Sequence, residues 1–373
     1  MTGLYIHIPF CAKKCPYCDF ASFDDILYLA DDYIECLAGE LQYYKKNKDI
    51  EFDTLFIGGG TPTMLSEKQL DRLFTRVYSV IDRKKLKEIT IEANPDSINE
   101  DRVKVLEANV SRVSLGCQSF HDRFLQKLHR IHNVDAIYSA FETLRKHNIN
   151  NINLDLIYGI EGQSTADVLY NVEKAVNLKP EHLSFYMLTV YGHTEFGRMA
   201  EDGLLNLPHD DVIEHMYLCG CEAMEKAGYR QYEISNFAMP GKKCLHNLKY
   251  WQSQEYIGIG SAAASYFQGK RYVNTAGPAD YIKKIKMSGN PAETSEIITP
   301  EIRQKEYIML RLRTVEGIDL EDFKKIFNYD FYEKYSNIIG KMLDEGLAIC
   351  GSGKLSLTGK GFMISNEIIG KFF

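Results

Sequence analysis

The chain of 373 residues contains no apolar run long enough to cross a bilayer, so membrane-spanning helices are not expected. It has no excess of positive charge: 44 Lys and Arg against 51 Asp and Glu give a formal net charge of −7. That balance leaves no electrostatic footprint for nucleic acid or an anionic membrane surface. Nine cysteines are scattered over the length, an odd number that argues against a disulfide framework and for a reducing compartment. The start, Met1-Thr2-Gly3-Leu4-Tyr5, enters an apolar stretch without the basic-then-apolar pattern of a secretory signal. Together these predict a cytoplasmic protein, a reading compatible with peripheral membrane association. Tryptophan occurs once, and no Gly-Lys-Ser/Thr follows the glycine run at 58–60, which excludes a P-loop for nucleotide phosphates.

What is there is an ordinary globular composition, 45% hydrophobic and 25% charged, long enough for one large domain and a smaller one. Apolar runs at 4–8, 54–58, 88–93, 112–116, 151–158 and 182–188 alternate with helical patterns near 28–47, 66–82, 99–109, 134–147 and 164–178. Strand and helix in regular alternation predict an α/β fold, a parallel sheet joined by right-handed crossovers and covered by helices. The pattern alone does not separate an open sheet from a partial barrel. A stripe of Ile213, Met216, Tyr217, Gly220 and Met224 predicts a core-packing helix over 209–227. Residues 268–295 are rich in Gly, Pro, Asn and Ser, which predicts a connecting region. The organisation expected is therefore a core over 1–235, a connecting region over 236–295 and a compact C-terminal domain over 296–373. That last segment reads as helices followed by two short strands around a glycine turn. Its 11 Lys and Arg against 12 Asp and Glu disfavour a DNA-binding role and favour packing or covering a substrate.

The chemistry gathers at Cys11-Ala12-Lys13-Lys14-Cys15-Pro16-Tyr17-Cys18, a Cys-x3-Cys-x2-Cys spacing with no fourth cysteine close behind. Three thiolates cannot saturate a four-iron cluster, so one iron would remain open to another ligand. Structural zinc takes four closed ligands, commonly from paired Cys units, and no second pair is present. Three merely buried cysteines would explain neither the tight spacing nor the apolar lead-in.

Further groups sit where strands end. Gly58-Gly59-Gly60-Thr61-Pro62-Thr63 follows the second strand, and glycines there let backbone approach a ligand closely; alone, a tight turn is the commoner reading. Glu92 ends the third strand, and read alone it is a solvated or ion-paired carboxylate. Gln118 follows the fourth strand, Arg130 lies in Leu128-His129-Arg130-Ile131-His132, and Asp155 stands on an otherwise apolar strand. A charge on such a strand needs a reason, and an arginine converging with a carboxylate could clamp a zwitterion. Tyr5 and His7 share one face of the first strand; a histidine alone there is more often a satisfied core residue.

The lead-in Tyr5-Ile6-His7-Ile8-Pro9-Phe10 and the cysteine triad resemble the radical S-adenosylmethionine enzymes, and more narrowly the oxygen-independent coproporphyrinogen III oxidase group with its heme-chaperone branch. The resemblance covers nearly the whole chain. It implies a partial (β/α) barrel, in which active sites gather at the carboxyl ends of the strands, and a small winged-helix-like C-terminal domain. It implies that Cys11, Cys15 and Cys18 hold a 4Fe-4S cluster whose open iron takes the amino and carboxylate groups of S-adenosylmethionine. An electron from the cluster, itself reloaded by an electron donor, then splits the sulfonium to a 5′-deoxyadenosyl radical. The same resemblance makes Tyr5, Tyr17, Gly59, Gly60, Thr61 and Glu92 contacts of that cofactor. It makes Gln118, Arg130 and Asp155 contacts of a second S-adenosylmethionine.

Two local patterns select the branch. Decarboxylating members of the group typically carry one more cysteine two places after the triad, where this chain has Phe20. The chain instead has His246-Asn247-Leu248-Lys249-Tyr250-Trp251, similar to the motif that marks the heme-chaperone branch. A histidine can ligate heme iron and nearby aromatics can pack a porphyrin face; read alone, His246 caps a turn and Trp251 fills core. The expectation is a protein that binds heme, with His246 as ligand, and passes it to an acceptor such as a respiratory enzyme. The competing expectation is oxidative decarboxylation of coproporphyrinogen III to protoporphyrinogen IX.

Overall fold

Six apolar runs form the strands expected of them: β1 (Thr2–Ile8), β2 (Phe52–Gly59), β3 (Glu88–Ala93), β4 (Arg112–Gln118), β5 (Ile152–Tyr158) and β6 (His182–Met187). The computed structural model describes residues 1–47 and 50–373. Between the strands run α1 (Ala30–Asn47), α2 (Glu67–Tyr78), α3 (Glu100–Asn109), α4 (Asp122–Lys127), α5 (Val134–Lys146) and α6 (Thr165–Asn177). Helix starts are fixed by side chains that satisfy the first free amides: Ser66 with Gln69, Asn99, Asn133, and Ser164 with Asp167.

Neighbours β1 to β6 pair in parallel and in sequence order. Among the described residues the sheet stays open. The free edge of β1 is taken by β9 (Tyr256–Ile259), which pairs in parallel. The free edge of β6 is taken by the hairpin of β7 (Arg230–Glu233) and β8 (Asn236–Ala238), with β8 antiparallel to β6. The result is the partial barrel expected. Its outward face, Leu4, Ile6, Ile8, Leu55, Ile57, Ile91, Val113, Leu115, Leu154 and Leu156 among others, packs under the helices in one continuous core. Both faces of a parallel sheet are covered, and β2 is buried at all eight positions.

The inward face is different: Thr54, Glu92, Arg112, Ser114, Asn153, Asp155 and Ser184 alternate with the outward apolar residues. Polar groups taken out of water must find partners, and many do here. Asn153 donates to Ser114 and Asp155, each at 2.7 Å, and accepts from Ser184 at 3.1 Å. His182 bridges Asn153 at 2.6 Å and Tyr232 at 2.8 Å.

The structure departs from the sequence expectation over 236–295. Residues expected to connect two domains instead extend the same sheet, through β9, β10 (Ala264–Phe267), β11 (Lys270–Asn274) and β12 (Ala292–Ile297). The Gly and Asn that suggested a linker serve the turns of this meander: Gln268 and Gly269 both have positive φ between β10 and β11. Buried Glu40 from α1 locks it in place, accepting from Gly260 N, Asn274 Nδ2 and the Tyr281 hydroxyl.

Helices α7 (Glu195–Glu201) and α8 (Asp210–Lys226) follow β6. The α8 stripe packs as expected, with Gly220 so close to Phe185 that a Cβ would lie 2.6 Å from its ring. Beyond residue 298 a helical unit carries a small antiparallel sheet of β13 (Ile318–Asp319), β14 (Ala348–Gly351) and β15 (Lys354–Leu357), followed by two short helices, Gly359–Met363 and Ser365–Gly370. Ser352 and Gly353 both have positive φ, the two-residue turn that matches strand twist. This unit docks on the core where Ile234 N donates to Arg313 O at 2.9 Å and Val315 N to Tyr232 O at 3.2 Å. Among the described residues no helix is long and apolar enough to cross a membrane.

The amino end of the barrel is plugged by α9 (Leu245–Trp251), the helix that carries the His-Asn-x-x-Tyr-Trp motif. Buried Glu88 receives its first turn, accepting from Leu245 N at 2.9 Å and His246 N at 3.0 Å. Removing that carboxylate leaves both amides buried and unpaired. Glu88→Ala should cost about 3 kcal/mol, read as a lowered urea midpoint with unchanged slope; a loss below about 1 kcal/mol would show that α9 is held elsewhere.

Candidate cluster and cofactor site

A cavity of about 390 Å³ opens at the carboxyl ends of the strands. It is lined by Cys11, Cys15, Cys18, Tyr17, Gly59, Gly60, Thr61, Glu92, Gln118, Arg130 and Asp155. The structure thus brings together eleven of the residues singled out in the sequence.

The cysteine loop is registered against the glycine loop by backbone. Gly60 N donates to Ile8 O at 2.8 Å, and Thr61 N to Phe10 O at 2.7 Å. Gly60 has no room for a side chain: a Cβ would lie 2.7 Å from Phe10 O and 3.0 Å from Cys11 Sγ. Gly59 has φ +114°, and a Cβ there would lie 2.5 Å from the His7 ring. His7 is buried, with Nε2 2.9 Å from Ala21 O and Nδ1 3.0 Å from the Tyr5 hydroxyl. It is a positioning residue that ties β1 to the far side of the cysteine loop.

Side chains link the thiols across three strand ends. Cys11 Sγ lies 3.8 Å from Thr61 Oγ1, which accepts from Asn94 Nδ2 at 2.9 Å. Asn94 Oδ1 accepts from Arg130, whose other terminal nitrogen lies 3.5 Å from Cys15 Sγ. Arg130 also donates to Gly116 O at 3.2 Å. Its guanidinium is thereby held by the protein at the cavity wall. Burial raises the Cys11 and Cys18 thiols; ligation to iron requires thiolates, and the metal's charge drives that deprotonation. Among the described residues no three His, Cys, Asp or Glu side chains converge on a single-ion position. Three thiols facing one cavity suit a cluster, whose irons are separate points of attachment.

The carboxylates lie deeper. Glu92 Oε2 accepts from Gly59 N at 3.0 Å, and burial raises its carboxyl to about 7, with the neighbouring Asp155 charge acting the same way. Asp155, raised by burial, is held by Asn153 at 2.7 Å and Ser114 at 3.4 Å. Gln118 has φ +65° at a register shift in β4, a bulge that re-aims its side chain.

Two expected contacts are not at the cavity wall. Tyr5 stands behind Phe56, ring centroids 6.2 Å apart, and it is Phe56 that lines the space. His246 is 0% exposed, with Nδ1 2.9 Å from Thr54 Oγ1 and Nε2 2.8 Å from the Tyr250 hydroxyl. With both ring nitrogens occupied at the barrel floor, it is not placed to ligate heme; the motif presents Asn247 to the cavity instead. Burial, with the nearby Lys249 charge, lowers the imidazole to about 3, so it stays neutral. Sequence reasoning missed Asn94, Arg112, Asn153 and Ser184. The signal for the last three was the alternation of polar residues along apolar strands; for Asn94 it was an Asn-Pro pair at a strand end.

Cys11→Ala, Cys15→Ala and Cys18→Ala should each abolish iron uptake and visible absorbance on anaerobic reconstitution, while Cys350→Ala, exposed and distant, should retain both. Glu92 supplies a pH test. Its folded value of about 7 exceeds the ordinary 4.5, so its ionisation takes stability away as pH rises between those values. In the ligand-free chain, Glu92→Gln should melt with the parent at about pH 5 and several degrees above it at about pH 8. Equal melting at both would refute the buried carboxylate reading.

Similarity to known proteins runs the length of the chain. The Radical SAM superfamily pattern matches residues 5–175, and the HemN C-terminal domain pattern matches residues 298–364. The protein named heme chaperone HemW of Lactococcus lactis is 37% identical, the match covering 100% of this chain and 97% of that one. The protein of the same name in Bacillus subtilis is 35% identical over 100% and 99%, and that of Escherichia coli 34% over 93% and 90%. Among solved structures, coproporphyrinogen III oxidase (HemN) of Escherichia coli superposes with a TM-score of 0.85 at 21% identity, over 100% of this chain and 89% of that one. That likeness establishes the shared fold. The chain belongs to the HemW family of the radical S-adenosylmethionine superfamily.

Proposed function

We propose that this protein is a heme chaperone of the radical S-adenosylmethionine type, binding a 4Fe-4S cluster, S-adenosylmethionine and heme and handing heme to an acceptor protein. The observation that carries this reading is the full-length relationship to proteins named heme chaperone HemW, at 37% and 35% identity. Phe20 supports it: it stands 58% exposed at the cavity where decarboxylating members of the group carry a further cysteine. A respiratory enzyme is a suitable acceptor, and the cluster needs an electron donor. We also place the protein in the cytoplasm, which suits three half-buried free thiols.

The residues divide the work by depth. Cys11, Cys15 and Cys18 hold the cluster at the mouth. Gly59, Gly60 and Thr61 offer backbone to the methionyl end of the cofactor, and the two glycines let that loop pack on His7, Phe10 and Cys11, where a Cβ would clash. Glu92, ionised above about pH 7, accepts hydrogen bonds from an ammonium or ribose hydroxyls. Gln118 and Asp155 present polar atoms to the space beyond, while Arg130 and Tyr17 wall it off from solvent. When bound, the cluster and S-adenosylmethionine supply one-electron reductive cleavage of a sulfonium.

An anaerobic assay with two arms tests this. The reconstituted protein, given coproporphyrinogen III, S-adenosylmethionine and a reductant, should leave the porphyrinogen mass unchanged. Loaded with hemin and mixed with a heme-free respiratory subunit, it should lose heme to that subunit. Stepwise loss of two carbon dioxide units from the porphyrinogen would overturn the proposal in favour of a biosynthetic decarboxylase.

A further inference from the structure

A cation without a partner lies at the floor of the cavity. Arg112 opens β4 on the same inward face as Ser114, is 2% exposed, and lines the cavity. Among the described residues its guanidinium makes no hydrogen bond and no ion pair. Arg130, the other arginine of the cavity, donates to Asn94 and Gly116 and lies 3.5 Å from Cys15 Sγ. A buried charge left unpaired is strongly destabilising, so the fold keeps Arg112 in this state at a cost.

The carboxyl groups around it are engaged elsewhere. Glu88 accepts from Leu245 N and His246 N, Glu92 from Gly59 N, and Asp155 from Asn153 and Ser114. Their charges act on Arg112 only from beyond ion-pair distance. A second free group comes from α9: Asn247 lines the same cavity, and its carboxamide has no hydrogen-bond partner among the described residues. Glu88, which holds the first turn of α9, is also among the charges acting on Arg112, so the guanidinium and the start of this helix share the floor. Phe56 and Ile157 add apolar wall to the cavity.

A guanidinium presents paired N–H groups that match a carboxylate, and a carboxamide adds a further donor. Phosphate also fits the fork, but near −2 it would meet three carboxyl groups with one cation to offset them. A singly charged carboxylate suits the charge balance better.

We propose that Arg112 and Asn247 form a carboxylate-binding subsite at the cavity floor, taking the acid end of an organic ligand whose apolar body lies against Phe56 and Ile157. The subsite requires no heme. Its occupant is distinct from S-adenosylmethionine, whose own carboxylate is assigned to the open iron.

Trp251, the only tryptophan, stands one turn beyond Asn247 on α9 and serves as reporter. The full ligand-free chain is titrated with butyrate, butyramide and inorganic phosphate, following Trp251 fluorescence and melting temperature. Butyrate should give a saturable signal and raise the melting temperature, and the uncharged amide and phosphate should do neither. Arg112→Gln should weaken butyrate at least about tenfold. Asn247→Asp, which sets a like charge against the ligand, should do the same. Iron uptake on anaerobic reconstitution checks that each variant folds, and Asn247→Asp carries the test if Arg112→Gln fails that check. No saturable butyrate binding by the parent, equal binding of phosphate, or parental affinity in a folded variant would each overturn the proposal. On the reconstituted protein, butyrate and radiolabelled S-adenosylmethionine should bind together; displacement of one by the other would assign Arg112 to the cofactor and overturn it as well. Failure of heme transfer would leave these outcomes unchanged, so the two readings fall separately.

Discussion

The parallel register of β1 on β2 is the constraint on which the site depends. Ile8 stands opposite Gly59, and the ladder continues past both strand ends, through Gly60 N to Ile8 O and Thr61 N to Phe10 O. The cysteine loop therefore inherits its position from the sheet. A slip of one residue would turn Tyr5 and His7 outward and bring Leu4 and Ile6 inward. The outward apolar core makes such a slip costly, because Leu4, Ile6 and Ile8 are all completely buried. Precision at the mouth is thus underwritten by hydrophobic burial on the opposite face of the same strand.

The interior of the barrel carries the opposite chemistry. Glu92 and Asp155 are carboxyl groups whose burial opposes their ionisation. Below them Arg112 is 2% exposed, and its Nε has no hydrogen-bond partner among the described residues. Unpaired polar groups in a low-dielectric interior cost stability. Such groups collect where a ligand supplies the missing partners, and local rules are broken at functional sites more than elsewhere. The positive φ of Gln118 belongs to the same pattern. The outer shell of helices, capped and apolar on one side, offsets these local costs.

The motif over 246–251 illustrates why a sequence pattern can be recognised and its role still misjudged. A histidine followed by asparagine, tyrosine and tryptophan has the right chemistry for a porphyrin. In three dimensions α9 is the plug at the amino end of the barrel, and His246 is consumed by Thr54 and Tyr250. Its partner residues lie 192 positions earlier and one helical turn later. Only the helical partner lies within reach of local reasoning. The stretch 268–295 is a second case: its Gly, Pro, Asn and Ser suggest a connecting region, but turns inside a sheet meander and turns in a linker have the same composition.

By itself the sequence determined the alternation of strand and helix, because a period of two and a period of 3.6 are written in apolar spacing. It determined the cysteine triad and the glycine loop as well, because three thiols within eight residues and three adjacent glycines need no distant partner to be noticed. The tertiary structure alone decided which polar groups meet. Asn94 joins Thr61 to Arg130 from a third strand end. His193 meets Asp19 across 174 residues of chain, and His246 is shut away beneath the barrel. Hydrogen bonds and metal ligation depend on distances of about 3 Å or less, and no spacing along the chain encodes these until the sheet has set the register.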